Sequence, residues 1–157
     1  MNFRTFRMKS LMVVTGICLS FLLASAATAA EYTSVKSDGV NIRSGPSTND
    51  EVLWEVFQGF PLEIIKHDGK WAQCQDFEGD KGWIHSDLLS ADKTVIVKKK
   101  MANLRAGAGT NYETVATVKY GVIFTAVEKD GDWLKVKHED GTVGWIFNTL
   151  IWPSDPM

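Results

Sequence analysis

Cysteine is scarce: 157 residues hold two, and Cys18 lies inside an N-terminal apolar run. With that run set aside Cys74 stands alone, which excludes an intramolecular disulfide and leaves the fold to its apolar core. A cationic surplus is missing too. Arg4, Arg7 and Lys9 precede the apolar run, and the remainder carries fourteen bases against nineteen acids. Phosphate backbones are bound by a clear excess of positive charge, so nucleic acid is excluded as a partner. There is no Cys-x-x-Cys and no His-x-x-x-His, so the usual zinc spacings are absent. The glycine-rich GAGTN of Gly107 to Asn111 lacks the Lys-Ser/Thr pair and the following helix of a phosphate loop. Nothing calls for a cofactor. Beyond residue 30 no stretch keeps a helical period, and no second apolar run is long enough to span a bilayer.

What is present begins with the leader. A basic start (Arg4, Arg7, Lys9), an almost unbroken apolar run from Leu11 to Ala24 and the small-residue tail SAATAA of Ser25 to Ala30 are the three parts of a secretory signal peptide. Cleavage after Ala29 or Ala30 starts the mature chain at Ala30 or Glu31. A retained anchor is the alternative, since Leu11 to Ala30 spans twenty residues. The expected destination is export, to the periplasm or cell envelope, with no membrane contact once the leader is cut.

The mature chain is one unit written twice. NIRSGPSTNDE (Asn41 to Glu51) aligns with NLRAGAGTNYE (Asn103 to Glu113) at an offset of 62, which holds without a gap from Tyr32/Thr94 to Leu89/Ile151. Eighteen of the fifty-eight paired positions are identical, where chance gives about one in fifteen to twenty. The expected organisation is a leader over 1–30, a first unit over 31–91 and a second over 92–157. The halves differ in charge. Tyr32 to Ala91 has five bases and ten acids, and Asp92 to Met157 nine and eight, partly through Lys98-Lys99-Lys100. Those lysines suit a solvated edge strand.

Each unit is punctuated as all-β. In the first, strands are expected near Val40 to Arg43, Val52 to Phe57, Pro61 to His67, Trp71 to Gln75 and Lys81 to His85. Asp68-Gly69 and Asp130-Gly131 are the strongest hairpin signals, and Gly79 and Gly141 mark the next turn. Five short strands in about sixty residues suit a small closed or half-closed barrel. Successive strand side chains face opposite ways, so Ala72, Cys74, Leu134 and Val136 point to the core. Cys74, at the place of Val136, is a core filler rather than a nucleophile. No histidine recurs between the units, and the recurring Asp68/Asp130 belong to turns, so no catalytic residue is assigned. The linker after Leu89 lacks Gly and Pro, which predicts two barrels in contact. Trp54 and Trp152 have no repeat counterpart and are candidates either for that contact or for a feature unique to this protein.

The pattern N-[IL]-R-[SA]-G-x-x-T-N, then D-G-x-W, then G-W-I and a closing Leu resembles the bacterial SH3 (SH3b) domain, in tandem, over nearly the whole mature chain. The resemblance implies an all-β fold of two small SH3-like β-barrels behind the signal peptide. It further implies a targeting or binding module of the cell envelope, of the kind found beside cell-wall hydrolases. Two partners follow as expectations: peptidoglycan, by its glycan or stem peptide, or an envelope protein that the chain docks or regulates.

Five side chains at outward parity are the candidate ligand contacts: Trp71, Trp83 and His85 in the first unit, Trp133 and Trp145 in the second. An outward tryptophan is a flat apolar platform with one donor, suited to sugar rings or extended peptides. The competing expectation is that each covers its own hairpin or the contact between barrels. Arg43 and Arg105, beside Asn41 and Asn103, suit loop anchoring.

Overall fold

The computed structural model describes residues 30–157, so the signal-peptide reading of residues 1–29 lies outside the described residues. The first unit has seven strands: β1 (Glu31–Val35), β2 (Val40–Arg43), β3 (Val52–Val56), β4 (Pro61–Asp68), β5 (Trp71–Gln75), β6 (Lys81–His85) and β7 (Leu89–Ser90). A single 3-10 turn, Ser86–Leu88, leads into β7. The second unit repeats this with β8 (Thr94–Val97), β9 (Met101–Arg105), β10 (Thr114–Lys119), β11 (Ile123–Asp130), β12 (Trp133–Lys137), β13 (Val143–Phe147) and β14 (Ile151–Trp152). The sheet orders match: β3-β2-β6-β5-β4-β1-β7 and β10-β9-β13-β12-β11-β8-β14, every pairing antiparallel. The all-β duplication expected from the repeat is the architecture observed.

Two strands per unit exceed the expected five. Both β1 and β7 are held by partners far away in sequence, β4 and each other, with no hairpin signal to announce them. Lys98 to Lys100 also depart from expectation. They are exposed but form the connection between β8 and β9, not an edge strand.

The hairpins show why particular residues recur. Asp68 closes the ladder opposite Trp71, so the two-residue turn is Gly69-Lys70. Gly69 has φ +57°, and no non-glycine residue has positive φ among the described residues. A glycine alone with positive φ at the first turn position is the II′ pattern, not the Asp-Gly turn expected one residue earlier. Gly131, at φ +56°, does the same opposite Asp130 and Trp133.

Two bulges recur at the same places in both units. The ladder skips Leu53 and Ile65 in the first and Val115 and Val127 in the second, and all four side chains are exposed. An unpaired residue shifts the alternation by one, which turns an apolar side chain outward and bends the strand around the core.

One face of each sheet fills a single core. The first gathers Val40, Ile42, Leu62, Ala72, Cys74 and Ile84, and the second Ala102, Leu104, Phe124, Leu134, Val136 and Ile146. Cys74 is fully buried, its thiol 3.5 Å from the Gly82 carbonyl, and burial pushes its pKa up to about 12. The barrels meet directly. Ile96 of the second belongs to the first core, with Ile123 and Trp152 packed against it. Tyr32 and Trp152 pack edge to face at 5.5 Å, and Thr94 Oγ1 donates to the Gly59 carbonyl at 2.7 Å. Trp152 serves the contact, whereas Trp54 packs within the first barrel.

Candidate functional site

Twelve of the eighteen identities between the units can be sorted by what each position demands; Lys36, Gly45, Asn49, Glu51, Asp68 and Trp83, with their counterparts, recur outside these groups. Val35/Val97, Val56/Val118 and Ile84/Ile146 fill the cores. Gly59/Gly121, Gly69/Gly131 and Gly79/Gly141 supply positive φ. Gly82 and Gly144 are space-limited: a Cβ on Gly82 would lie 2.3 Å from Ile42 Cγ2, and one on Gly144 2.9 Å from Leu104 Cβ. Asn41, Arg43, Thr48, Trp71 and Leu88, with Asn103, Arg105, Thr110, Trp133 and Leu150, fall in none of these classes. They come together in space. Each set lines one open cleft, about 400 Å³ in the first barrel and about 770 Å³ in the second, within the range typical of ligand pockets.

The sheet builds the cleft from alternation and register. On β2, Asn41 and Arg43 are two apart and share a face. Trp71 opens β5 directly opposite His85, the last residue of β6, so both rings leave the sheet on one side. Their centroids lie 5.3 Å apart at 79°, edge to face. Trp133 and Phe147 reproduce the pair at 5.3 Å and 66°. Leu88 is supplied by the 3-10 turn after β6, and Thr48 by the loop after β2. Arg43 pins that loop, donating from Nη1 to the Asp50 carbonyl at 2.8 Å, and Arg105 pins its counterpart through the Tyr112 carbonyl at 2.8 Å. The arginines thus anchor a loop and line the cleft together.

Of the five candidate contacts, Trp71 and His85 meet in the first cleft and Trp133 lies in the second. Trp83 and Trp145 lie on neither lining. Trp83 faces outward in the pleat, yet only 9 % of it is exposed, which corrects the expectation of a free platform. It sits in the middle of the sheet between Arg43 and Gln73, with Lys66 Nζ 5.2 Å from its ring centre. Neighbouring strands on both sides therefore cover it, and a cationic lid closes it. Trp145, half-buried, has Lys135 Nζ at 5.8 Å. Thr48, Thr110, Leu88 and Leu150 lie outside the five expected contacts, and their identity in both copies is the sequence signal that marks them.

Two further histidines and one acidic cluster have local roles. His67 pairs with Glu31 at 3.3 Å and His138 with Asp140 at 3.1 Å. The carboxylates of Asp76, Glu78 and Asp80 gather within 4.8 Å. Asp76 Oδ1 already accepts the Glu78 and Asp80 amides at 2.9 Å each, and Glu78 accepts the Tyr120 hydroxyl. The cluster thus frames its own turn and ties it to the second barrel.

Comparison with known proteins places these features in a family. The family model for the bacterial SH3 domain matches twice, over residues 36–91 and 98–153. The Bacillus subtilis (strain 168) protein "Putative N-acetylmuramoyl-L-alanine amidase YrvJ" is 31% identical over 152 residues, covering 86% of this chain and 29% of that one. The chain therefore spans less than a third of that relative. Among solved structures, NlpC1 from Trichomonas vaginalis aligns at 14% identity and TM-score 0.34, over 82% of this chain and 48% of that one. An NlpC/P60 family protein from Bacillus cereus ATCC 10987 aligns at 14% and 0.34, over 77% and 55%.

Proposed function

This chain belongs to the bacterial SH3 domain family, as two tandem units, and from that premise we propose that it is a non-enzymatic peptidoglycan-binding module of the cell envelope. One observation carries the reading. Five recurrent side chains that neither the cores nor the positive-φ turns require, Asn41, Arg43, Thr48, Trp71 and Leu88 with their counterparts, line the same cleft in both barrels. A duplicated cleft with an aromatic wall, an asparagine, an arginine and a threonine suits a polymer of amide-bearing sugars and short peptides: the ring stacks, and the polar groups orient. A relative named for an N-acetylmuramoyl-L-alanine linkage supports the choice of ligand. The leader, read as a signal peptide, would deliver the module to the envelope.

A second reading, an adaptor that docks or regulates an envelope enzyme, is favoured by one feature. The first unit carries five bases against ten acids over Tyr32 to Ala91, and anionic wall polymers are repelled by such a surface.

The test is co-sedimentation of the chain with purified sacculi, set against Trp71→Ala/Trp133→Ala with its folding checked by circular dichroism. We expect the native chain to pellet and the folded double variant to stay in solution. A native chain that stays in the supernatant at low salt removes peptidoglycan and directs the search to a protein partner by crosslinking.

A further inference from the structure

The two clefts share five side chains but differ at three matched positions. Where the first has Gly39, Val40 and His85, the second has Met101, Ala102 and Phe147. Met101 is 62 % exposed, an uncovered thioether of the kind found at adaptable apolar binding surfaces. The second cleft therefore presents Trp133, Phe147 and Met101, three apolar walls. The first presents one aromatic ring, the His85 imidazole and the polar Ser37 and Asp38, whose counterparts do not line the second. The orientation of that imidazole's chemistry is fixed: His85 Nδ1 accepts the Asp87 amide at 3.3 Å. In the neutral ring Nε2 is then the nitrogen that carries the proton and donates. Phe147 has no such group, and the amide two residues on from it receives no side-chain cap.

Resting on the wall-binding reading, we infer that the two clefts take different parts of one polymer. The first takes a group that accepts a hydrogen bond, an acetamido carbonyl or hydroxyl of the glycan. The second takes an aliphatic group, an alanine methyl of the peptide. Residues 85 and 147 decide between them. The exchange is structurally permitted, because the backbone is nearly the same at both sites: φ −70°, ψ 131° at His85 and φ −76°, ψ 135° at Phe147.

The experiment uses the full-length chain, purified in mild detergent, with the indole N–H signals of Trp71 and Trp133 followed by NMR and assigned with Trp71→Phe and Trp133→Phe. The probes are a tetramer of N-acetylglucosamine and tri-alanine. The tetramer is expected to move the Trp71 signal and tri-alanine that of Trp133. His85→Phe should weaken the tetramer at Trp71 by about tenfold, the scale of one hydrogen bond lost from a desolvated site, and admit tri-alanine there. Phe147→His should do the reverse at Trp133. Equal response of both indoles to one probe, no response to either, or swaps that leave the preference unmoved overturn the inference. Pelleting with sacculi, measured on the same samples, separates the two levels. If it depends on Trp71 and Trp133 while the preference fails, only the division of labour falls. If native chain does not pellet, the wall-binding reading falls with it.

Discussion

The two barrels keep five side chains of the cleft unchanged while exchanging many of those that fill their cores. Their cores exchange Ile42 for Leu104, Leu62 for Phe124, Ala72 for Leu134 and Cys74 for Val136. Ile64 faces a partly buried Ala126 across the repeat, and Trp54 faces Ala116. Each core is filled by different volumes in the same places, which small barrels tolerate as long as the total is kept. The cleft shows the opposite bias, with Asn, Arg, Thr, Trp and Leu unchanged in five of its positions. A half-exposed tryptophan is not forced by packing in the way a space-limited glycine is. Its recurrence beside the same polar partners is what the proposed binding role accounts for, and the changed pair His85/Phe147 is where the proposed division of ligands lies.

The sharpest way to break this comparison is at the glycines that pack strand on strand. Gly82→Ala drives a methyl to 2.3 Å from Ile42 Cγ2 and 3.1 Å from the Arg43 carbonyl, whereas Gly144→Ala meets Leu104 Cβ at 2.9 Å. We expect a loss of about 3 kcal/mol for the first and about 1–2 for the second, read from urea unfolding. Equal losses would mean the two cores relax alike. Next in size is the contact between barrels. Trp152→Ala removes the edge-to-face partner of Tyr32 and packing against the first core. It should cost about 2 kcal/mol and split one calorimetric transition into two. A single transition at unchanged temperature would show the barrels to be coupled elsewhere.

The smallest effect sharpens the core comparison. Cys74→Val gives the first barrel the residue of the second and should change stability by less than about 1.5 kcal/mol. The native thiol should resist a disulfide-exchange reagent until urea unfolds the chain. Its folded pKa, about 12, lies above the ordinary thiol value of 9.0. The stability it lends is therefore present below pH 9 and lost as pH rises from there toward 12, because the unfolded chain releases its proton first. Cys74→Val should erase that part of the alkaline slope and leave the acid side unchanged.

Much of the scaffold could be read from the chain because its rules are local. The offset of 62 laid the five expected strands of one unit onto the other, and two-residue alternation put Ala72, Cys74, Leu134 and Val136 inside, where all four are buried. Alternation also misled. It turned Trp83 outward without showing that Arg43, Gln73 and Lys66 converge on it, since those neighbours come from three other strands. The short β1 and β7 escaped for the same reason, their pairing being entirely long-range.

The sequence by itself determined the duplication, the all-β class, the burial of Cys74 and the turn glycines, because residue type, period and spacing act within one strand or one hairpin. Only the tertiary structure decided which recurrent residues form a cleft. Asn41, Thr48, Trp71 and Leu88 lie on four separate stretches of chain, and curling a sheet around its core is what brings such stretches to one surface.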